Sequence, residues 1–346
     1  MYSKNLKYYR LQKNMTKKEL ASKVDVTPMA ISYYESGERR PNMEIIKRLA
    51  NVLEVRVTDF INSRNTDLVF AHGEFRKNSS MTKTQQEFIR ESVEEYLSRF
   101  YTAVDILGGE VIPAAPGVHQ IKLSGDSERD ARQMRHYLRL AESGPVGNLI
   151  ELLENRGILV YVYDLENKDF SGMNGLVNER PYIIVNGTMS PERIRSTVVH
   201  EMAHFLFKWD SEMDDKEIER VATAISGAFL FPKDDAIREL GIRRSAITKD
   251  MTLICKEYGI SMYVLVKRAA LCGIINQSVE KDFYIRANQI GWRTNEPICI
   301  TREEPMLFSQ LVFRAVCENE ITVQKGAELL KKPYEYVAEH CFAEGD

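Results

Sequence analysis

Two histidines four residues apart, His200 and His204, bracket a glutamate in the run His200-Glu201-Met202-Ala203-His204. On a helix, residues at i and i+4 project from one face, so both imidazoles can reach one divalent ion at about 2.0–2.1 Å. Glu201 is one residue from a ligand and points elsewhere. It is placed to take a proton from water beside the ion and pass it to a leaving amine, the general-base position of a metallopeptidase. The spacing has no glycine of the kind that precedes a third histidine, so the remaining ligand is expected to be a carboxylate further on. Glu212, Asp214, Asp215, Glu217 and Glu219 are the candidates. Ile218, Val221, Ala222, Ile225 and Phe229 mark a buried helical stripe flanked by Glu217 and Glu219, and phase does not choose between those two.

The motif needs a rigid helix behind it. Ser190 is an N-cap candidate with Pro191 at the first helical position, and Val198-Val199 and Phe205-Leu206-Phe207 bury the motif on both sides. Upstream, residues 158–164 and 181–186 read as buried strands, where an extended peptide could add along a sheet edge. Helices are expected at 82–100, 127–142 and 146–156, and a largely helical stretch at 235–275 has an apolar stripe through Ile237, Leu240, Ile242, Ile254, Tyr258, Val264, Val266 and Leu271. Val312 to Leu330 suggests a closing helix pair. His119, His136 and the pair His340-Cys341 stand outside any ligand pattern.

A second chemistry lies at the other end of the chain. Residues 1–65 hold 13 Lys/Arg against 7 Asp/Glu, whereas the rest holds 34 against 43. A basic head on an acidic body points to an anionic partner for the head, nucleic acid first. Five short helices are expected between Ser3 and Ile61. Thr16 and Glu19 have capping-box spacing, Asp25 falls in a turn, and Thr27-Pro28 opens a helix that Gly37 ends. Helix, tight turn and helix at this spacing place the second helix in a major groove.

The run Met15-Thr16-Lys17-Lys18-Glu19-Leu20-Ala21, followed by Val26-Thr27, Ile31 to Pro41 and Leu49-Ala50, resembles the phage-repressor (XRE) helix-turn-helix family over about 60 residues. The resemblance implies binding to a double-stranded DNA operator, usually as a homodimer. It places Thr27, Pro28, Met29, Ser32 and Tyr33 near bases and Lys17, Arg39 and Arg40 near phosphates. Lys17 and Asp25 stand where the family commonly has Gln and Gly, and Asp tolerates a left-handed turn. Pro28 and Met29 lack the polar groups that read base edges, which shifts readout to Ser32 and Tyr33.

Asn186, His200-Glu201-x-x-His204, Glu219-x-x-Ala222 and Phe229-Leu230-Phe231-Pro232 resemble the ImmA/IrrE metallopeptidase family. That likeness implies Glu219 as third ligand and cleavage of a repressor-type protein in stress responses or mobile elements. Residues 285–292, 303–305 and 308–318 resemble the tails of longer members that carry such a head. Thr223, Ile225 and Ser226 depart from the Asn and Phe-Ala usual there.

With 44% hydrophobic and 28% charged residues, the 346-residue chain has the composition of two or three globular domains. No run nears the roughly 20 apolar residues of a membrane span, and the start has no signal-peptide core. Scattered Cys255, Cys272, Cys299, Cys317 and Cys341 suit reduced cytosolic thiols and a cytoplasmic location. The expected fold is mostly α with a small β-sheet, an α+β class. The expected order is a helix-turn-helix domain over 1–65, a linker and connecting helix over 66–100, a zinc metallopeptidase domain over 101–235 and a helical region over 236–346. Zn2+ is the expected cofactor, and Mn2+ suits the same donors. The alternatives to a proteolytic regulator are a transcription factor that uses the second domain as an effector or metal sensor, and a scaffold with structural metal.

Overall fold

The computed structural model describes residues 2–61, 64–65, 67–73, 81–167, 169–292, 296 and 300–342. The chain divides into two compact units, Met1–Ile112 with Phe308–Asp346, and Pro113–Leu307. The fold is mostly helical with a small sheet, as the sequence predicts. Of the expected linker, Ser63, Thr66, Asn78, Ser79 and Ser80 lie outside the described residues, as does Cys299.

The first unit opens with the five expected helices: α1 (Tyr2–Gln12), α2 (Lys17–Lys23), α3 (Pro28–Ser36), α4 (Met43–Leu53) and α5 (Val57–Ile61). Their local chemistry is as read. Thr16 accepts from the Glu19 amide while Glu19 accepts from that of Thr16. Asp25 sits at φ +56°, Thr27 caps α3 through the Ala30 amide, and Gly37 ends α3 at φ +81°. Leu6, Leu20, Val24, Ile31, Leu49 and Phe60 close a core that excludes water. A strand β1 (Phe70–His72) follows, then α6 (Lys83–Ile106), which runs beyond the expected end at Phe100 because Ala103 and Val104 keep the buried stripe in phase.

The second unit runs β2 (Ile121–Lys122), α7 (Ser127–Tyr137), α8 (Leu149–Glu154), β3 (Leu159–Tyr163), β4 (Gly172–Val177), β5 (Arg180–Asn186), α9 (Pro191–Leu206), β6 (Phe207–Lys208), α10 (Asp215–Leu230), α11 (Lys233–Leu240), α12 (Met251–Tyr258), α13 (Met262–Leu271) and α14 (Gln277–Gln289). Strand β5 pairs in parallel with β3 and antiparallel with β4, and β2 pairs in parallel with β6. Helix α9 packs across β4 and β5. Strand β4 is not expected from sequence. Its glycines and Asn174 have low strand propensity, and ladder pairing with β5 through the tight turn at Asn178-Glu179, both at positive φ, overrides that. The stretch 235–275 is not continuous: Gly241 (φ +81°) and Gly259 (φ +63°) break it. Ile242 and Leu271, expected on the apolar stripe, are 83% and 58% exposed because the breaks put the helices out of phase.

The chain then forms α15 (Leu307–Cys317), α16 (Val323–Leu330) and α17 (Tyr334–Cys341), which lie in the first unit from Phe308 onward. Helices α16 and α17 repeat the turn of α2 and α3. Thr322 caps the Lys325 amide as Thr16 caps that of Glu19. Nine residues on, Lys331 (φ +53°) matches Asp25. The Lys332 amide donates to the Ala327 carbonyl at 3.1 Å as that of Val26 donates to Ala21 at 3.0 Å. Val337 is buried at the place of Ile31.

Candidate metal centre and nucleic-acid interface

Helix α9 presents the two histidines and α10 supplies a carboxylate. The Nε2 atoms of His200 and His204 are 3.1 Å apart. Glu219 puts one oxygen 3.3 Å from His200 Nε2 and the other 3.4 Å from His204 Nε2. The edge of a tetrahedron around an ion with bonds of about 2.0 Å is about 3.3 Å, so the three donors already stand at the separations a zinc-like ion requires. Three groups that can each offer a lone pair to one point, two of them neutral imidazoles, form a donor set that fits a divalent cation. Among the described residues, this is the one group of three or more His, Cys, Asp or Glu side chains so arranged.

Helical phase alone left Glu217 and Glu219 equivalent, and packing separates them. Glu217 is solvated beside Arg220, Asp214 caps α10 through the Glu217 amide, and Glu212 and Asp215 are exposed. Glu219 alone of the five candidates reaches the histidines. Thr223, one helical turn after Glu219, sets its hydroxyl 3.4 Å from His200 Nδ1. If Nε2 faces the ion, Nδ1 carries the proton and Thr223 accepts it, fixing tautomer and ring angle. The Trp209 indole N–H donates to the His204 carbonyl at 3.0 Å and its ring lies 5.7 Å from that of His204.

Glu201 points away from the histidine face, as the spacing requires, and is buried. The Asn174 side-chain amide donates to it at 2.8 Å. Sequence reading misses Asn174 because its strand is missed; an Asn flanked by apolar and Gly residues is a weak signal without the fold. Asn186 proves to be a turn lock. Its side chain accepts from the Leu165 and Thr188 amides and donates to the Asn167 and Phe170 carbonyls, fixing the exit of β5. His119 donates to the Phe207 carbonyl and joins β2 to β6, while His136 is exposed on α7. His340 donates to the Tyr336 carbonyl of its own helix.

In the first unit most of the expected DNA-facing residues reach solvent. Thr27, Pro28, Met29, Arg39, Arg40 and Lys17 are exposed, and Ser32 and Tyr33 are half-buried. Thr27 spends its hydroxyl on the helix cap, while Pro28 and Met29 are exposed at the start of α3. Lys17 donates to Ser32 at 3.1 Å, and Arg39 lies 5.3 Å over the Tyr33 ring. Arg10 holds α3 from behind through two hydrogen bonds to Glu35, at 2.5 and 3.0 Å. The repeat at α16 and α17 shares the turn but exposes Glu335 and Glu339 on its second helix, charges that repel phosphate.

Residues 6–60 match the helix-turn-helix family profile, and residues 153–270 match that of the IrrE N-terminal-like domain, a peptidase family. The chain thus carries one stretch similar to the helix-turn-helix family and another similar to the IrrE N-terminal-like domain. It is 33% identical over 70 residues to the uncharacterized HTH-type transcriptional regulator YqaE of Bacillus subtilis, covering 20% of this chain and 60% of YqaE. It is 35% identical over 48 residues to a multi-protein-binding factor 1 of Yarrowia lipolytica, covering 14% of this chain and 32% of that protein. PlcR of Bacillus thuringiensis, solved with the peptide PapR7 and DNA, aligns over 98% of this chain and 94% of its own at 12% identity and a TM-score of 0.18, too low to carry an argument. No described helix is long and apolar enough to cross a membrane.

Proposed function

We propose that the chain is an operator-binding regulator whose second unit is a zinc-dependent endopeptidase acting on a repressor-type protein. The observation that carries this reading is the convergence of His200, His204 and Glu219 beside a buried, hydrogen-bonded Glu201. His200, His204 and Glu219 would hold the ion, Zn2+ or another divalent metal such as Mn2+ that suits two imidazoles and a carboxylate. Bound there, it would supply Lewis acidity toward a peptide carbonyl and toward water. Glu201 takes up a proton from water and returns it to the leaving amine, and Asn174 keeps one of its oxygens fixed while the other exchanges the proton. Thr223 keeps the His200 ring aligned.

The first unit holds a double-stranded operator as half of a homodimer. Helix α3 lies in the major groove, Ser32 and Tyr33 face bases, and Lys17, Arg39 and Arg40 face phosphates. The support is the exposure of Lys17, Arg39 and Arg40 beside α3, whereas the geometrically similar α17 exposes Glu335 and Glu339.

The test compares metal-loaded wild type with Glu201→Gln in lysate of the source cell, by mass spectrometry of new peptide termini. Gln keeps the size and can still accept from Asn174, so metal binding and fold should persist while turnover falls by at least about a hundredfold. Termini produced by wild type alone establish the peptidase and identify its substrate. No new termini, with stoichiometric metal and intact DNA binding, transfer the reading to a regulator that senses an effector or metal through its second unit.

A further inference from the structure

Away from the metal centre and α3, the first unit brings two thiols together. Helices α15 and α17 end at Cys317 and Cys341. Cys317 Sγ lies 3.5 Å from the Cys341 carbonyl oxygen, and Cys341 Sγ lies 3.8 Å from the Phe313 carbonyl oxygen on α15. Each thiol donates toward the other helix's backbone, so the two sulfurs interlock across one seam. The seam is packed and aligned: Val337 is fully buried against Val316 and Ala327, and the His340 ring stacks 4.9 Å from that of Phe313. Cys341 is held between neighbours rather than swinging at a loose end.

The two thiols differ. Cys317 is exposed, whereas Cys341 is half-buried, its thiol pushed up to about 11 by burial and by the Cys317 thiol beside it. Cys255 is fully buried with its thiol toward the Met262 sulfur, and burial pushes it well above the usual range. Cys317 is therefore the reachable member of the pair and Cys341 its neighbour in waiting.

We propose that Cys317 and Cys341 form a reversible intramolecular disulfide by exchange with a low-molecular-weight disulfide of the glutathione kind. The Cys317 thiolate attacks one sulfur of that disulfide. Its S–S bond breaks, and the departing thiolate takes up a proton. Cys341 then loses its proton and attacks the Cys317 sulfur, breaking the mixed disulfide and releasing the second small thiol. Two protein thiols are oxidised and one small disulfide is reduced to two thiols. The new bond closes a loop that contains α16. That helix carries Leu329, whose carbonyl accepts from Arg99 of α6, and lies next to Lys331, which pairs with Glu95 of α6 at 2.8 Å. Oxidation thereby pins an element packed on α6, and the reducing state of the surroundings sets whether the α15–α17 seam can open. This inference is independent of proteolysis.

The full chain is incubated under native conditions with excess glutathione disulfide, then with dithiothreitol, and followed by intact-mass and peptide-mapping mass spectrometry. The expected product has lost two hydrogens, shows a crosslinked peptide joining Cys317 to Cys341, and returns to the starting mass on reduction. Cys341→Ser should arrest the reaction as a persistent glutathione adduct on Cys317, and Cys317→Ser should leave Cys341 unmodified. A wild type that ends as a stable glutathione adduct, a crosslink from Cys317 to another cysteine, or a 317–341 crosslink that needs denaturant would each overturn the proposal.

Discussion

The buried pair Arg10–Glu35 makes the helix-turn-helix testable without any knowledge of the operator. Both side chains are 4% exposed. Glu35 takes two guanidinium hydrogen bonds, and the third goes to the Met15 carbonyl at 2.8 Å, so the arginine has no solvent to fall back on. Replacing Glu35 with Ala leaves a desolvated cation with one acceptor, and breaking such a pair costs about 3–5 kcal/mol. That is a large part of the roughly 5–15 kcal/mol that holds a domain together. For a unit of this size each kcal/mol moves the melting midpoint by about 2–4 °C, so a fall of at least about 6 °C is expected for its transition. The assay is thermal unfolding by circular dichroism with operator affinity measured in parallel, since α3 loses its tie to α1. Replacing both partners, Arg10→Met with Glu35→Leu, removes the charge along with its partner and should cost under about 1 kcal/mol. If Glu35→Ala lowers stability by less than about 1 kcal/mol, or if the double substitution is as damaging as the single, the pair is not desolvated and the reasoning fails.

Three further outcomes are expected. Adding Zn2+ at about a thousand times its dissociation constant should stabilise the second unit by about 4 kcal/mol over the chelated protein, and His200→Ala or Glu219→Ala should abolish the shift seen by calorimetry; an equal shift in those variants would place the ion elsewhere. Burial pushes the Glu154 carboxyl up to about 7, outweighing its hydrogen bonds from the Met306 and Leu307 amides. The folded state then holds a proton that the unfolded chain has released, so stability should decline by about 3 kcal/mol as pH rises from about 4.5 to 7. Urea midpoints across that range should flatten in Glu154→Gln, and an unchanged slope would show that other groups carry it. Arg39→Ala with Arg40→Ala should weaken binding to all DNA sequences alike and reduce the salt slope of log affinity by about 1–2, read by fluorescence anisotropy at several salt concentrations; a loss confined to one sequence would assign these arginines to base readout.

The sequence by itself determined whatever depends on neighbours within one or two helical turns. The caps at Thr16, Thr27 and Ser190, the left-handed Asp25, the stop at Gly37 and the shared face of His200 and His204 are local geometry, fixed by backbone hydrogen bonding and the 3.6-residue period. The basic residues beside α3 were legible for the same reason: Lys17 opens α2 and Arg39 and Arg40 follow the Gly37 stop, within a few residues of the turn. Tertiary structure decided the rest. Glu219 is set apart from Glu217 because α10 lies against α9 in one rotation, a long-range fact that periodicity cannot supply. Asn174 reaches Glu201 only because β4 pairs with β5 beneath α9. Asn186 is shown as a lock on the β5 turn by partners up to twenty-one residues away. The α2–α3 turn recurs at α16–α17, and the sequence does not announce the recurrence because Gly326 stands for Leu20 and Pro333 for Thr27. Backbone geometry tolerates those exchanges, whereas the charge on the exposed face, and with it the partner each turn can meet, does not.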